Sequence, residues 1–248
     1  MLQWTVALAA LLAFVALAVA WTLVRERGRR QRLAQTAREL GLSFHPDGRF
    51  LLGEGFDALP LFAIARIARW ASIQNVMQGV VDSRRMVICD YHYATGNPSN
   101  RIDYYHTVVA VWIGRGMLPE FAVRLARPAL ARSALSGPLG AALIGLLPSG
   151  RAIGAALAAA DEQRIEIAAP AAFAERYAVS GSDRAAVLRR LRPPLLEYLA
   201  SRPEPLLVES AGGWLAVFCR RTVAPAALAD FVAEAREFVA RLLAEGDH

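Results

Sequence analysis

The stretch RMVICDYHYATGNPSNRIDYYHTVVAVWI, residues 85–113, decides the fold. Val87, Ile88, Tyr91 and Tyr93 on one arm, and Tyr104, Tyr105, Val108, Val109, Val111, Trp112 and Ile113 on the other, are β-branched or aromatic and suit a pleated, packed surface. Between the arms, Gly96-Asn97-Pro98-Ser99-Asn100 is a turn cluster: Gly and Asn accept left-handed backbone and Pro fixes φ. An antiparallel hairpin follows. Its apolar residues do not alternate cleanly, which implies a sheet covered on both faces near Val108–Ile113 and open to water nearer the turn.

On either side of the hairpin the chain breaks into short β-like pieces. Phe50–Gly55, Leu59–Ile67 and Ile73–Val81 precede it, with Asp57 and Ser83 as turn residues; Arg164–Ile167, Tyr177–Ser180, Leu206–Glu209 and Trp214–Cys219 follow. Ser182 is placed as an N-cap, with Asp183 in the first turn, for a helix to about Leu191, and Pro193-Pro194 interrupts it. Pro225 starts a last helix on which Leu228, Phe231, Val232, Ala235, Phe238 and Leu242 form one apolar stripe. Strands first and helices late predict an α+β domain with a largely antiparallel sheet and C-terminal helices. Residues 128–160 depart from this texture as an Ala/Gly-rich insertion. Pro148, Arg151 and five glycines between Gly137 and Gly154 argue against a second membrane span there.

The N-terminus reads differently. Leu2–Val24 carries no charge, and a helix of that span is about 34 Å long, enough for a hydrocarbon layer of roughly 30 Å. Trp4 and Trp21 stand near its ends, and Arg25, Arg27, Arg29, Arg30 and Arg32 follow on one side only. The expectation is a transmembrane anchor at 2–24, N-terminus outside, with the remaining chain in the cytoplasm below an inner membrane and the basic collar on anionic inner-leaflet lipids. A basic juxtamembrane helix then occupies 25–41, with Leu33, Ala37 and Leu40 on one face and Gly41 at its end, and the α+β domain fills 42–248. A signal peptide cleaved near Ala20 is the rival, weakened by the absence of any preceding Lys or Arg. Ala9, Ala13, Ala16 and Ala20 share a helical face on which a second copy could approach.

Charge and composition exclude more than they assign. The chain has 28 basic residues, all Arg, and a net charge of +6. Residues 25–39 hold six Arg against Glu26 and Glu39, a net of +4, which leaves +2 for the rest and gives nucleic acid no basic face. Without Lys there is no Schiff base, phosphate-loop lysine or Ser-Lys pair. Cys89 and Cys219 sit in apolar strand-like runs and are expected reduced and buried. Gly114-Arg115-Gly116 lacks the third glycine and helix of a dinucleotide loop, and no nucleophile elbow or zinc spacing occurs.

One constellation carries chemistry. With the turn centred on Pro98, Asp90 stands opposite His106 and His92 opposite Tyr104, all on one face, so two imidazoles and a carboxylate could hold a metal. A one-residue slip would divide them. Tyr91, His92, Tyr93, Tyr104 and His106 would equally serve a protein partner.

Gly55-Phe56 with Leu59-Pro60-Leu61-Phe62, Asn75-Val76-Met77 with Gly79, Asp90-Tyr91 with Tyr93 and Gly96, Thr107-Val108-Val109, Leu118-Pro119 with Phe121, Phe173 with Tyr177 and Gly181, and Val208-Glu209 with Gly213 together resemble an uncharacterised family of bacterial single-pass membrane-anchored proteins. The resemblance runs from about Gly41 to the end, apart from Arg132–Ala160, and implies a similar anchored domain with no attached activity. The expected function is a binding or scaffolding domain without cofactor or catalytic site. A metal-dependent hydrolase using Asp90, His92 and His106, and an exported ligand-binding domain, are the alternatives.

Overall fold

A computed structural model describes residues 2–62, 71–95, 99–126 and 163–244, with α1 side chains from Leu12 onward. The hairpin arms are β3 (Arg84–Thr95) and β4 (Ile102–Trp112), inside a nine-stranded sheet with β1 (Ser43–Asp47), β2 (Ser72–Val81), β5 (Phe121–Leu125), β6 (Arg164–Ile165), β7 (Tyr177–Gly181), β8 (Leu207–Ala211) and β9 (Trp214–Cys219). The order is β1-β2-β3-β4-β9-β8-β5-β7-β6, and every pairing is antiparallel. The helices are α1 (Leu2–Glu39), α2 (Ala171–Arg176), α3 (Arg184–Arg190), α4 (Pro193–Ser201) and α5 (Pro225–Ala244). The tip residues 96–98 and the insertion at 128–160 lie outside the described residues.

The register turns on one count. Tyr91 pairs with His106, His92 with Tyr105 and Tyr93 with Tyr104. Side chains therefore sort into two faces. On one face, Tyr91, His106, Glu209 and Trp214 meet the segment before β2: Phe62 packs on Tyr91, Phe56 on Trp214, and the Leu61 amide donates to Glu209. On the other, Asp90 and Thr107 meet α1 and the approach to α5. Both faces are covered at the centre of the sheet, and Val108–Val111 are buried there. The α5 stripe is buried as the spacing requires, from Leu228 through Phe231, Val232, Ala235 and Phe238 to Leu242. Each such large side chain removed from water contributes about 1.5–3 kcal/mol.

Several expectations are corrected. Among the described residues no helix is long and apolar enough to cross a membrane. The single-pass anchor, the N-out orientation and the inner-membrane placement that rested on it fall together. What stands in their place is one unbroken helix of 38 residues. It passes through Ala20 without interruption and docks by its C-terminal half, with Leu33 and Ala37 buried. Its end is as read from sequence: Gly41 takes φ +72° and the Leu42 amide donates to the Ala37 carbonyl at 2.7 Å.

Phe50–Gly55 is not extended but part of a 3-10 turn, Arg49–Glu54, followed by a second, Phe56–Ala58. Residues 60–62 are helical, so the described part of the expected Leu59–Ile67 strand is not one. Asp183, not Ser182, caps α3, its carboxylate accepting from the Ala186 amide at 2.9 Å.

Gly213 closes the β8–β9 turn at φ +93°, and a Cβ there would lie 2.8 Å from the Trp112 ring. Gly213→Ala is expected to cost about 2 kcal/mol, from left-handed strain and the ring contact, read as a lowered urea midpoint with an unchanged slope.

Candidate functional site at the turn end of the hairpin

Asp90 lies where β2, β3, β4, α1 and the chain before α5 converge. Its Oδ2 accepts from Arg29 Nη2 at 2.6 Å and Asn75 Nδ2 at 2.9 Å, and its Oδ1 from Thr107 Oγ1 at 2.9 Å. Thr107 Oγ1 accepts in turn from the Val223 amide at 2.9 Å, and Arg29 Nη1 donates to the Val223 carbonyl at 3.4 Å. Asn75 reaches Asp90 from a left-handed backbone, φ +52°, within the irregular step of β2 between Gln74 and Met77. The carboxylate is thus committed to holding the fold.

The same register separates the expected metal ligands. Asp90 and His92 share one face and His106 the other. His92 Nε2 lies 2.6 Å from Asp103 Oδ1, its ring stacked on Tyr105 at 4.5 Å. His106 is 4% exposed and its Nδ1–H donates to the Cys219 carbonyl at 3.1 Å, which leaves Nε2 as a bare acceptor with no partner among the described residues. Among the described residues no three His, Cys, Asp or Glu could hold a metal ion. The sequence reading took the turn as odd in length. The six residues between Thr95 and Ile102 make it even, and that shifts every cross-strand partner by one.

Of the five residues read as a partner surface, Tyr91 and His106 are buried, whereas His92, Tyr93 and Tyr104 are partly exposed. Tyr104 stacks on Tyr93 at 4.8 Å and Tyr93 on His106 at 5.7 Å. The line of rings continues inward through Tyr91, Phe62, Phe56 and Trp214. Burial raises the Tyr93 hydroxyl to about 12, with Tyr104 adding to it. Burial also lowers the His106 imidazole to about 4, against the opposing hydrogen bond to Cys219, and Arg220 lowers it further.

Beside these rings the sheet opens. The β4–β9 ladder ends at the Thr107–Cys219 pair, while β4 continues back to Ile102. A cleft of about 440 Å³ lies there, lined by residues 102–106 and by Arg220, Arg221 and Thr222. Its charges are mostly paired: Asp103 with Arg101 at 2.6 Å, and Arg221 with Glu204 at 2.5 Å. Arg220 is exposed and has no ion-pair or hydrogen-bond partner among the described residues.

Sequence reasoning missed Glu209. It is 1% exposed on β8 and accepts from the Leu61 amide at 2.7 Å and from Arg124 Nη2 at 2.6 Å. The available signal was a single acid inside the apolar run Leu206-Leu207-Val208-Glu209, where a lone charge has to be paired. Of the expected membrane-interface residues, Arg29 faces Asp90 and Arg30 pairs with Glu26, while Trp21, Arg25, Arg27 and Arg32 are exposed on α1. Trp4 and Ala9 lie outside the described side chains. Ala13, Ala16 and Ala20 are exposed, as are Leu12, Phe14, Leu17 and Val24. Cys89 and Cys219 are free and buried.

No family model and no curated protein matches the chain. A solved structure matches it in fold: the crystal structure of the mycobacterial trehalose monomycolate transport factor A, TtfA, has a TM-score of 0.53 over 87% of this chain and 95% of that one, at 14% identity. At that identity the likeness is one of fold.

Two substitutions probe the geometry. Arg29→Ala takes one partner from a half-buried carboxylate and is expected to lower stability by about 1–3 kcal/mol, with faster amide exchange in the second half of α1. For His106, the unfolded chain takes up a proton as pH falls through the ordinary value of 6.5, whereas the folded chain does so only near about 4. Folded stability therefore drops across that window. His106→Phe is expected to flatten this part of the pH profile, measured as urea midpoints at pH 7, 5 and 4.

Proposed function

We propose that the chain is a non-catalytic binding domain, a scaffold that holds a protein partner at the turn end of the β3–β4 hairpin. The observation that carries this reading is the contrast between its two ends. At the centre of the sheet the ionisable groups that could do chemistry, Asp90 and Glu209, are tied into structural hydrogen bonds. At the turn end, half-exposed stacked rings border a cleft whose Arg220 has no partner among the described residues. Amphipathic aromatic and Arg side chains are those that protein interfaces favour. A transport factor is what the structural neighbour is described as, and a binding role here agrees with it.

The test is photo-crosslinking in the source cell. A photoreactive side chain at Tyr105 is expected to give a discrete protein adduct that the same group at exposed Glu175 on α2 does not give. Identical adduct patterns at the two positions, or none at Tyr105 and Ile102, would overturn the reading.

A further inference from the structure

Resting on that reading, we infer that the cleft takes an extended segment of the partner, which adds to β4 as a strand in the line β9 vacates and places a carboxylate on Arg220. In an antiparallel ladder alternate residues turn their N–H and C=O groups to opposite neighbours. The Thr107 amide donates away from β3, to the Arg221 carbonyl at 3.0 Å. By that alternation Asp103 and Tyr105 also turn their backbone groups to the β9 side, where the ladder has already ended. Two donors and two acceptors are therefore presented along residues 102–106, about 17 Å of strand, which fits a segment of about five residues.

The side chains specify what that segment carries. Asp103 is neutralised by Arg101 and by its hydrogen bond to His92, and Arg221 by Glu204, so Arg220 is the uncompensated charge among the described groups of the cleft. An acidic side chain or a chain terminus satisfies it. His106 adds an independent requirement. Its Nε2 is a buried acceptor on the cleft wall without a donor among the described residues, so a Ser, Thr or Asn on the segment's inward-facing position would complete it. The opposite face of the segment would meet Tyr105, which is 51% exposed.

A phage library of random heptapeptides panned on the full chain tests this. Enriched sequences are expected to combine alternating β-branched residues with an acidic residue. Because the Tyr105 amide points to the open side, proline is tolerated there while the donor is lost. Tyr105→Pro is expected to weaken retention of the enriched peptides at least tenfold, Tyr105→Ala less than threefold, and Arg220→Gln about fivefold. Synthetic copies of those peptides N-methylated at alternate residues should lose binding on one of the two alternations, a readout that does not depend on the variants' folding. Overturning results are no enrichment over bare matrix, equal retention by Tyr105→Pro and Tyr105→Ala, or indifference to both N-methyl patterns. Any of these sinks strand addition but leaves the binding reading standing if Tyr105 still crosslinks a partner; loss of that adduct sinks the reading itself.

Discussion

The Asp90 carboxylate is the interaction on which the rest of the structure depends. It gathers donors from α1, β2 and β4, and through Thr107 it fixes the Val223 amide just before α5. A half-buried carboxylate left short of donors would cost several kcal/mol, so the five segments are bound to one arrangement rather than merely collapsed together. The strained Asn75 backbone is sustained by the same contacts, since a left-handed residue in a strand persists only where its surroundings over-determine it.

With the helical face locked in this way, the sheet can end raggedly at one corner without unravelling. β4 outruns β9 because the chain turns away after Cys219 to reach α5, and Arg221 caps the last ladder amide as it leaves. Exposed strand edges are usually blunted by charge, twist or cover. This one is flanked by paired charges and by rings stacked on both faces, and among the described residues no strand pairs with its β9 side between Ile102 and His106.

Much of the sheet was legible because its strands are runs of β-branched and aromatic residues between Gly and Asn turns. α5 was legible from its 3.6-residue stripe. What was not legible has physical reasons. β1 is polar and contains Pro46, which only an edge strand accommodates, so it carries no apolar signature. Phe50–Gly55 looked extended because its apolar residues are dense, yet it lies in a 3-10 turn in which Leu51 is buried and Phe50 stays exposed beside His45. The hairpin arms were legible but not their register: the turn holds an even number of residues where an odd one was read, so Tyr91 and His106 pair with each other and lie buried. Asp90 and Arg29 are far apart in sequence, and no local pattern encodes such a pair. The N-terminal apolar run was read from its hydropathy, its flanking Trp residues and its Arg collar, none of which registers that the charged continuation docks on the sheet through Arg29, Leu33 and Ala37.

That continuity gives α1 a mechanical property. About 40 Å of uninterrupted helix separates Arg29 from Leu2 at ~1.5 Å per residue, and the helix is held beyond that point, by Arg29 on Asp90 and by buried Leu33 and Ala37. A rotation of ~10° at that point sweeps the far end through roughly 7 Å on such a rod. On an arm of that length, a small change of angle beside Asp90 would become a large displacement at Leu2.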